Sequence, residues 1–236
     1  MNNKIEYECI PIDYMIFLNY IYDNAHTLIA GTTGSGKSEL IKNLLAVIFS
    51  HTPNYNQVFI FDPKKIDYYK YKDLPHVVGY CDGDNVDYYT AFEWLVNEMQ
   101  RRLEGYKNGK TWNHLFIIID EYPDIKQKSK RSIPLIEELT RLSRAVNMHV
   151  IIATQRPTKD IINGTISANM SVKIALRTAT AQESRNIIAV SGAEDLPLYG
   201  QCLIRYPQNK EIERWNIPLI SDTLFETFKR YWNSYN

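Results

Sequence analysis

The sequence predicts an α/β fold in which a mostly parallel central sheet is flanked by helices. Three observations carry that expectation. The segment Gly31-Thr32-Thr33-Gly34-Ser35-Gly36-Lys37-Ser38 matches G-x-x-x-x-G-K-[ST] and stands between an apolar strand and a helix. Short β-rich runs alternate with helical periods along the chain, the pattern of strands joined by crossover helices. One of those runs, Leu115–Ile119, ends in Asp120 and Glu121, which places two carboxylates at the carboxyl edge of a parallel sheet, where ligands bind in such folds.

Taken in order, Thr27–Ala30 reads as the buried strand that leads into the loop. Ser38–Phe49 reads as the helix that leaves it, with Leu40, Ile41, Leu44, Leu45 and Ile48 on one face. Gln57–Phe61, Val77–Tyr80, Leu115–Ile119, Val150–Ala153, Ser171–Leu176 and Gln201–Arg205 are the further strands. Between them, Val86–Leu103 carries Ala91, Leu95 and Met99 at helical spacing. Ile133–Ala145 carries Leu135, Ile136, Leu139 and Leu142, and Ala181–Val190 carries Ile187 and Ile188. Ser221–Trp232 closes the chain with another amphipathic helix. With 236 residues, no internal repeat, no low-complexity tract and no long linker, the chain reads as one domain: a lead-in over 1–22, a core over about 23–206 and a C-terminal helix over about 221–232.

Composition narrows the function classes. Lys and Arg together number 27, as do Asp and Glu, so no global basic field announces a nucleic-acid partner and any such contact must come from a local patch. Cys9, Cys81 and Cys202 lie far apart without a paired C-x-x-C spacing, which argues against metal and disulfide frameworks. No apolar run approaches the ~20 residues that a membrane helix requires, so the chain is expected to have no intrinsic membrane segment and to be cytoplasmic. The 17 tyrosines show no regular spacing and are read chiefly as packing residues.

The motifs specify a chemistry. Gly34 and Gly36 carry no side chain to obstruct a polyphosphate, so backbone N–H groups can wrap its oxygens beside a helix N-terminus. Gly31, Thr32, Thr33, Gly34, Ser35, Gly36, Lys37, Ser38 and Glu39 are the expected nucleotide-binding residues, with ATP and Mg²⁺ as cofactors. Lys37 should reach the β and γ phosphates, and Ser38 and Asp120 should hold the metal. Glu121 is the expected base that positions or deprotonates the attacking water. Val150–Ala153 is followed by Thr154 and Gln155; an amide at the end of a sheet strand can report on the γ-phosphate without adding charge. Lys126-Gln127-Lys128-Ser129-Lys130-Arg131 stands out in a neutral chain and reads as a basic loop, either a pore loop that contacts DNA or a solvated one. Lys126, Lys128, Lys130 and Arg131 are the candidate DNA contacts, reading phosphates and not bases.

The run from Arg144 through Ala145-Val146-Asn147-Met148-His149-Val150-Ile151-Ile152-Ala153-Thr154-Gln155 to Arg156-Pro157 is more specific than either phosphate motif. It resembles the FtsK/SpoIIIE family within the FtsK–HerA superfamily of P-loop ATPases, which have a RecA-like core. The likeness extends to His26–Ala30 before Gly31, to Asp62-Pro63-Lys64, and to Gly192-Ala193-Glu194 with Gly200, and covers most of Asp23 to Tyr206. Family members are DNA translocases that form homo-oligomeric rings, commonly hexameric, and thread double-stranded DNA through a central pore. The resemblance implies a Mg-dependent ATPase in which Arg144 acts as an arginine finger on the neighbouring protomer's nucleotide; Arg141, one turn earlier, is the competing candidate. Asn147 stands where the family usually has Gly, and Asn tolerates the left-handed conformation that ends a helix. A minimal motor of this kind suits a mobile element or virus, in transfer or packaging, where a membrane-bound or capsid partner anchors it. The rival readings are a type VII-like protein-secretion ATPase and a non-hydrolysing nucleotide-binding ring component.

Overall fold

The computed structural model describes residues 9–11, 19, 21–24, 26–51, 56–158, 160–208 and 211–217. The helix expected over 221–232 lies outside them. The described residues form one nine-stranded sheet. Its strands are β1 (Cys9–Pro11), β2 (Thr27–Ala30), β3 (Gln57–Phe61), β4 (Val77–Cys81), β5 (Leu115–Ile119), β6 (Met148–Thr154), β7 (Val172–Ala175), β8 (Gln201–Arg205) and β9 (Glu213–Asn216), in the spatial order β1-β9-β8-β7-β2-β6-β5-β3-β4. From β7 to β4 every neighbouring pair is parallel. Two pairs depart from the parallel pattern: β8 runs antiparallel to both β7 and β9. The sheet therefore draws in sequence from before and after the expected core and extends at one edge, since β1 comes from the lead-in and pairs with β9, which follows residue 206.

Alternation along each strand builds two cores. Leu28 and Ala30, Phe59 and Phe61, and Ile117 and Ile119 face one layer, whereas Ile29, Val58, Ile60, Phe116 and Ile118 face the other. Successive side chains in a strand point to opposite faces, so a sheet covered on both sides needs apolar residues at every position, as the fully buried Leu115–Ile119 run shows. Helix α1 (Lys37–His51) covers the second face with Leu40, Ile41, Leu44, Leu45 and Ile48. On the first face lie α2 (Tyr88–Lys107), α4 (Ile133–Leu142) and α6 (Ala181–Ile188), with shorter α3 (Tyr122–Lys128) and α5 (Gly164–Asn169). Asp87 caps α2 by accepting from the Thr90 N–H, and Thr180 caps α6 by accepting from the Glu183 N–H.

Helix α4 is shorter than its apolar period suggested. It stops at Leu142, and residues Ser143–Val146 tighten into a 3₁₀ turn that ends at Asn147 in the left-handed region, with φ 56° and ψ 39°. The asparagine at this position thus performs the helix-ending role expected of it. The tyrosine clusters are mostly packing: Tyr68, Tyr71 and Tyr88 are buried, and Tyr69 is exposed.

Candidate functional site

Strand β2 lies at the centre of the sheet, between β6 and β7, so the loop that leaves its carboxyl end emerges where connections diverge to either side. The phosphate loop is sutured to both neighbours. The Gly31 N–H donates to the Thr154 carbonyl at 3.3 Å, and the Thr32 N–H donates to the Arg177 carbonyl at 2.8 Å. Gly31 has no room for a side chain, since a Cβ there would stand 2.7 Å from Ser35 Oγ and 2.8 Å from Leu176 Cβ. Gly34 and Gly36 take φ values of 77° and 99°, which turn the backbone into the cradle that their composition predicted. Lys37, at the first turn of α1, is buried and donates to the carbonyls of Gly31 at 2.7 Å and Thr32 at 2.8 Å. Burial lowers its pKa to about 8, with Glu121 and Asp120 opposing that shift.

The carboxyl ends of β3 and β5 bring the acids together. Asp120 is buried, and desolvation raises its carboxyl to about 7, with Asp67, Glu121 and Asp62 adding like charge. Glu121 follows it in the left-handed region, with φ 43° and ψ 56°, a conformation that costs a non-glycine residue on the order of 1 kcal/mol and recurs at functional sites. That backbone turn aims the Glu121 carboxylate at Gln155. Gln155 Nε2 donates to Glu121 Oε2 at 2.6 Å, while Gln155 Oε1 accepts from Thr33 Oγ1 at 2.7 Å. The amide after β6 therefore joins the phosphate loop to the acid after β5 in one chain of hydrogen bonds.

Two residues here escaped sequence reasoning. Lys64 Nζ donates to Glu121 Oε2 at 2.6 Å, and Asp67 accepts from Ser38 Oγ at 2.9 Å. Both belong to the turn after β3, which the fully buried Asp62 organises: its carboxylate accepts from the N–H groups of Lys65 and Tyr68 and from the Tyr80 hydroxyl, each at 3.1 Å. The Asp-Pro-Lys run was a usable signal for Lys64, whereas nothing in the local pattern singles out Asp67.

Other expected residues sit elsewhere. Glu39 pairs with Lys42 along α1 at 2.9 Å. Arg144 is exposed on the 3₁₀ turn that precedes β6, and its guanidinium donates to the Asp23 carbonyl at 3.0 Å. Because β6 is parallel to β2, Arg144 occupies the sheet edge opposite the phosphate loop, a strand length of about 23 Å away at 3.3 Å per residue. It cannot reach the site of its own chain. The basic run is not a loop, which corrects the expectation: Lys126 and Lys128 lie in α3, and Lys130 and Arg131 in the 3₁₀ turn Lys130–Ser132. Tyr122 and Ile125 anchor that helix in the core, and Lys126 and Lys128 in its last turn suit its negative end. Lys126 Nζ donates to the Asp160 carbonyl and, at 3.0 Å, to that of Ile161; Arg131 pairs with Asp87 at 2.6 Å and lies over the Tyr89 ring, leaving Lys128 and Lys130 exposed. Among the described residues, no helix is long and apolar enough to cross a membrane.

Comparison with known proteins agrees with this architecture. The DNA translocase FtsK of Borreliella burgdorferi is 35% identical over 202 residues, which are 75% of this chain and 26% of that protein. The cytoplasmic domain of the Thermomonospora curvata type VII secretion ATPase EccC superposes with a TM-score of 0.75 at 25% identity, covering 88% of this chain and 28% of that one. The pCW3 conjugation coupling protein TcpA, solved as a monomer with ATPγS, shares the fold with a TM-score of 0.78 at 21% identity, covering 92% and 66%. The chain spans about a quarter of the length of the curated relatives it matches. The FtsK/SpoIIIE family model matches residues 7–113, the stretch that holds the phosphate loop and the Asp62-Pro63-Lys64 turn, and with translocase relatives aligning across most of the remaining core, the chain belongs to the FtsK/SpoIIIE family.

Proposed function

We propose that this chain is a single ATPase motor domain that assembles into a homo-oligomeric ring, as a hexamer, and uses ATP hydrolysis to move double-stranded DNA. The observation that carries the reading is the bridge through Gln155, which links Thr33 of the phosphate loop to Glu121 at the end of β5. A hydrogen-bonded amide between a phosphate cradle and a carboxylate base changes partners when a γ-phosphate arrives or leaves, which is what a motor needs to couple chemistry to movement. Lys37 neutralises phosphate charge, Glu121 takes the proton of the attacking water, and Gln155 senses the γ-phosphate. The position of Arg144 at the far edge of the sheet supports a role in trans, on the nucleotide of the adjacent protomer.

The donor set suits Mg²⁺. Among the described residues no group of three or more His, Cys, Asp or Glu could hold a metal by itself, so Ser38 and Asp120 fit an ion that takes its remaining oxygens from nucleotide and water. The raised carboxyl of Asp120 marks a place where added positive charge is favourable. When bound, the ion supplies charge stabilisation to the transferring phosphoryl group.

The likeness to the EccC ATPase favours a second reading, in which the moved polymer is a polypeptide. ATPase rate measured against protein concentration, with and without duplex DNA, on the native chain and Arg144→Ala, separates these possibilities. DNA-stimulated turnover that rises cooperatively with concentration and collapses in Arg144→Ala supports the translocase. Turnover that ignores duplex DNA favours the polypeptide motor, and turnover independent of concentration removes the ring.

A further inference from the structure

Lys64 and Gln155 both donate to Glu121 Oε2 at 2.6 Å, so that oxygen is not free to take a proton from water. The two partners of the ion pair differ in exposure. The Glu121 side chain is 9% exposed and that of Lys64 is 37%, so the lysine is the member that a solvent-borne group can reach and draw away. Only its side chain need move, because Asp62 fixes the turn that carries it. The pair opens onto a cleft of about 500 Å³, whose walls also present Lys126, Lys130 and Arg156. The acids facing the same cleft are Glu121, already neutralised by Lys64, and Asp124. The carbonyl partners of Lys126 hold its ammonium in place without cancelling its charge. Four cations against two carboxylates make a surface for an anion, and Lys64 is the one that also holds the base.

We propose that Lys64 is a brake on Glu121, released when a phosphate of the duplex DNA backbone enters this cleft and takes over the lysine ammonium. Release removes one of the two donors on Oε2 and leaves that lone pair to face the attacking water, with Gln155 holding the other, so hydrolysis is fastest while the motor is loaded. No bond is made or broken in the switch; one ion pair exchanges for another. The contact is to backbone phosphate and carries no base preference. Lys64 is here a positioning residue that acts through Glu121, and the inference rests on the ATPase reading given above.

The test compares ATP turnover of the native chain, Lys64→Met and Lys64→Arg, each with no polymer, with a short blunt duplex and with polyglutamate. Thermal melts and binding of a fluorescent ATP analogue check the fold and the nucleotide site. Lys64→Met is expected to raise duplex-independent turnover several-fold and to bring the stimulation ratio towards one, with analogue affinity unchanged; Lys64→Arg should restore the native pattern. A Lys64→Met chain with native basal rate and native stimulation overturns the brake. So does one whose basal rate falls, or one that loses stimulation without gaining basal rate. A native chain that hydrolyses ATP but responds to polyglutamate and not to duplex instead overturns the DNA reading, and the proposed trigger with it.

Discussion

Raising the pH above 8, where the Asp120 carboxyl at about 7 is already ionised, should weaken nucleotide binding through Lys37. Its ammonium is buried beside the Gly31 and Thr32 carbonyls, and its pKa in the free protein is about 8, against 10.5 for an exposed lysine. Binding a polyphosphate requires the protonated form and adds negative charge, so the bound state holds the proton more tightly than the free one. Affinity then follows the protonated fraction of the free protein, roughly 0.5 at pH 8 and roughly 0.03 at pH 9.5, a loss of about 16-fold or about 1.7 kcal/mol. The sign for folding runs the other way from an ion-paired lysine. The folded value lies below the unfolded one, so this group's contribution to stability is least below pH 8 and grows as pH rises from there to 10.5. Calorimetric titration with a non-hydrolysable ATP analogue at fixed metal concentration, from pH 8 to 9.5, reads the effect directly. Lys37→Met should bind weakly and with no slope across that interval. Native affinity that stays flat to pH 9.5, or an equal slope in Lys37→Met, refutes the assignment.

Four further outcomes are expected. Glu121→Gln should abolish turnover while retaining the bound analogue, and single-turnover hydrolysis at the native rate would remove Glu121 as base. Gln155→Ala cuts the bridge between Thr33 and Glu121, so kcat should fall about 10-fold to 100-fold with nucleotide Kd within about twofold, as befits a group that acts on the reacting phosphate. Arg144→Ala and Glu121→Gln, each inactive alone, should regain partial activity when mixed, because an Arg144 from one protomer can then meet a Glu121 from the other; absence of any complementation across mixing ratios counts against action in trans. Phe92→Ala removes a fully buried ring stacked on Phe61 at 4.0 Å and should cost about 3–5 kcal/mol, read as a lower urea midpoint at unchanged m-value.

How much of this was legible in the sequence depended on whether a residue's signal was local. The phosphate loop, β5 with its two acids, and β6 with Gln155 declared themselves, because an eight-residue pattern and fully apolar runs are dictated by neighbouring positions. Asn147 was legible for the same reason, since its left-handed backbone follows from residue type at a helix end. Asp67 was not: it reaches Ser38 across 29 residues through a turn set by Asp62. Helix α3 was misread because only Tyr122 and Ile125 anchor its seven residues, too few to display a period among Asp, Gln and lysines. Strands β1 and β9 have three and four residues, and the polar Glu213 and Arg214 in β9 conceal its pairing. Arg144 was singled out by its resemblance to a known motif, and only the topology placed it on the far edge from its own phosphate loop.

The alignment of the inner strands sets a tolerance on the catalytic chemistry. Ala30 pairs with Thr154 and Ile119 with Ile152, so Gly31, Asp120 and Gln155 issue from three adjacent strands, Gly31 and Gln155 level with each other and Asp120 two residues below, at positions fixed by backbone pairing. Slipping β6 by a single step would carry Gln155 about 3.3 Å along its axis and turn its side chain to the opposite layer. Insertions and deletions of one residue within these strands should therefore disturb the site and both packed layers together, and length variation should be confined to the surface connections.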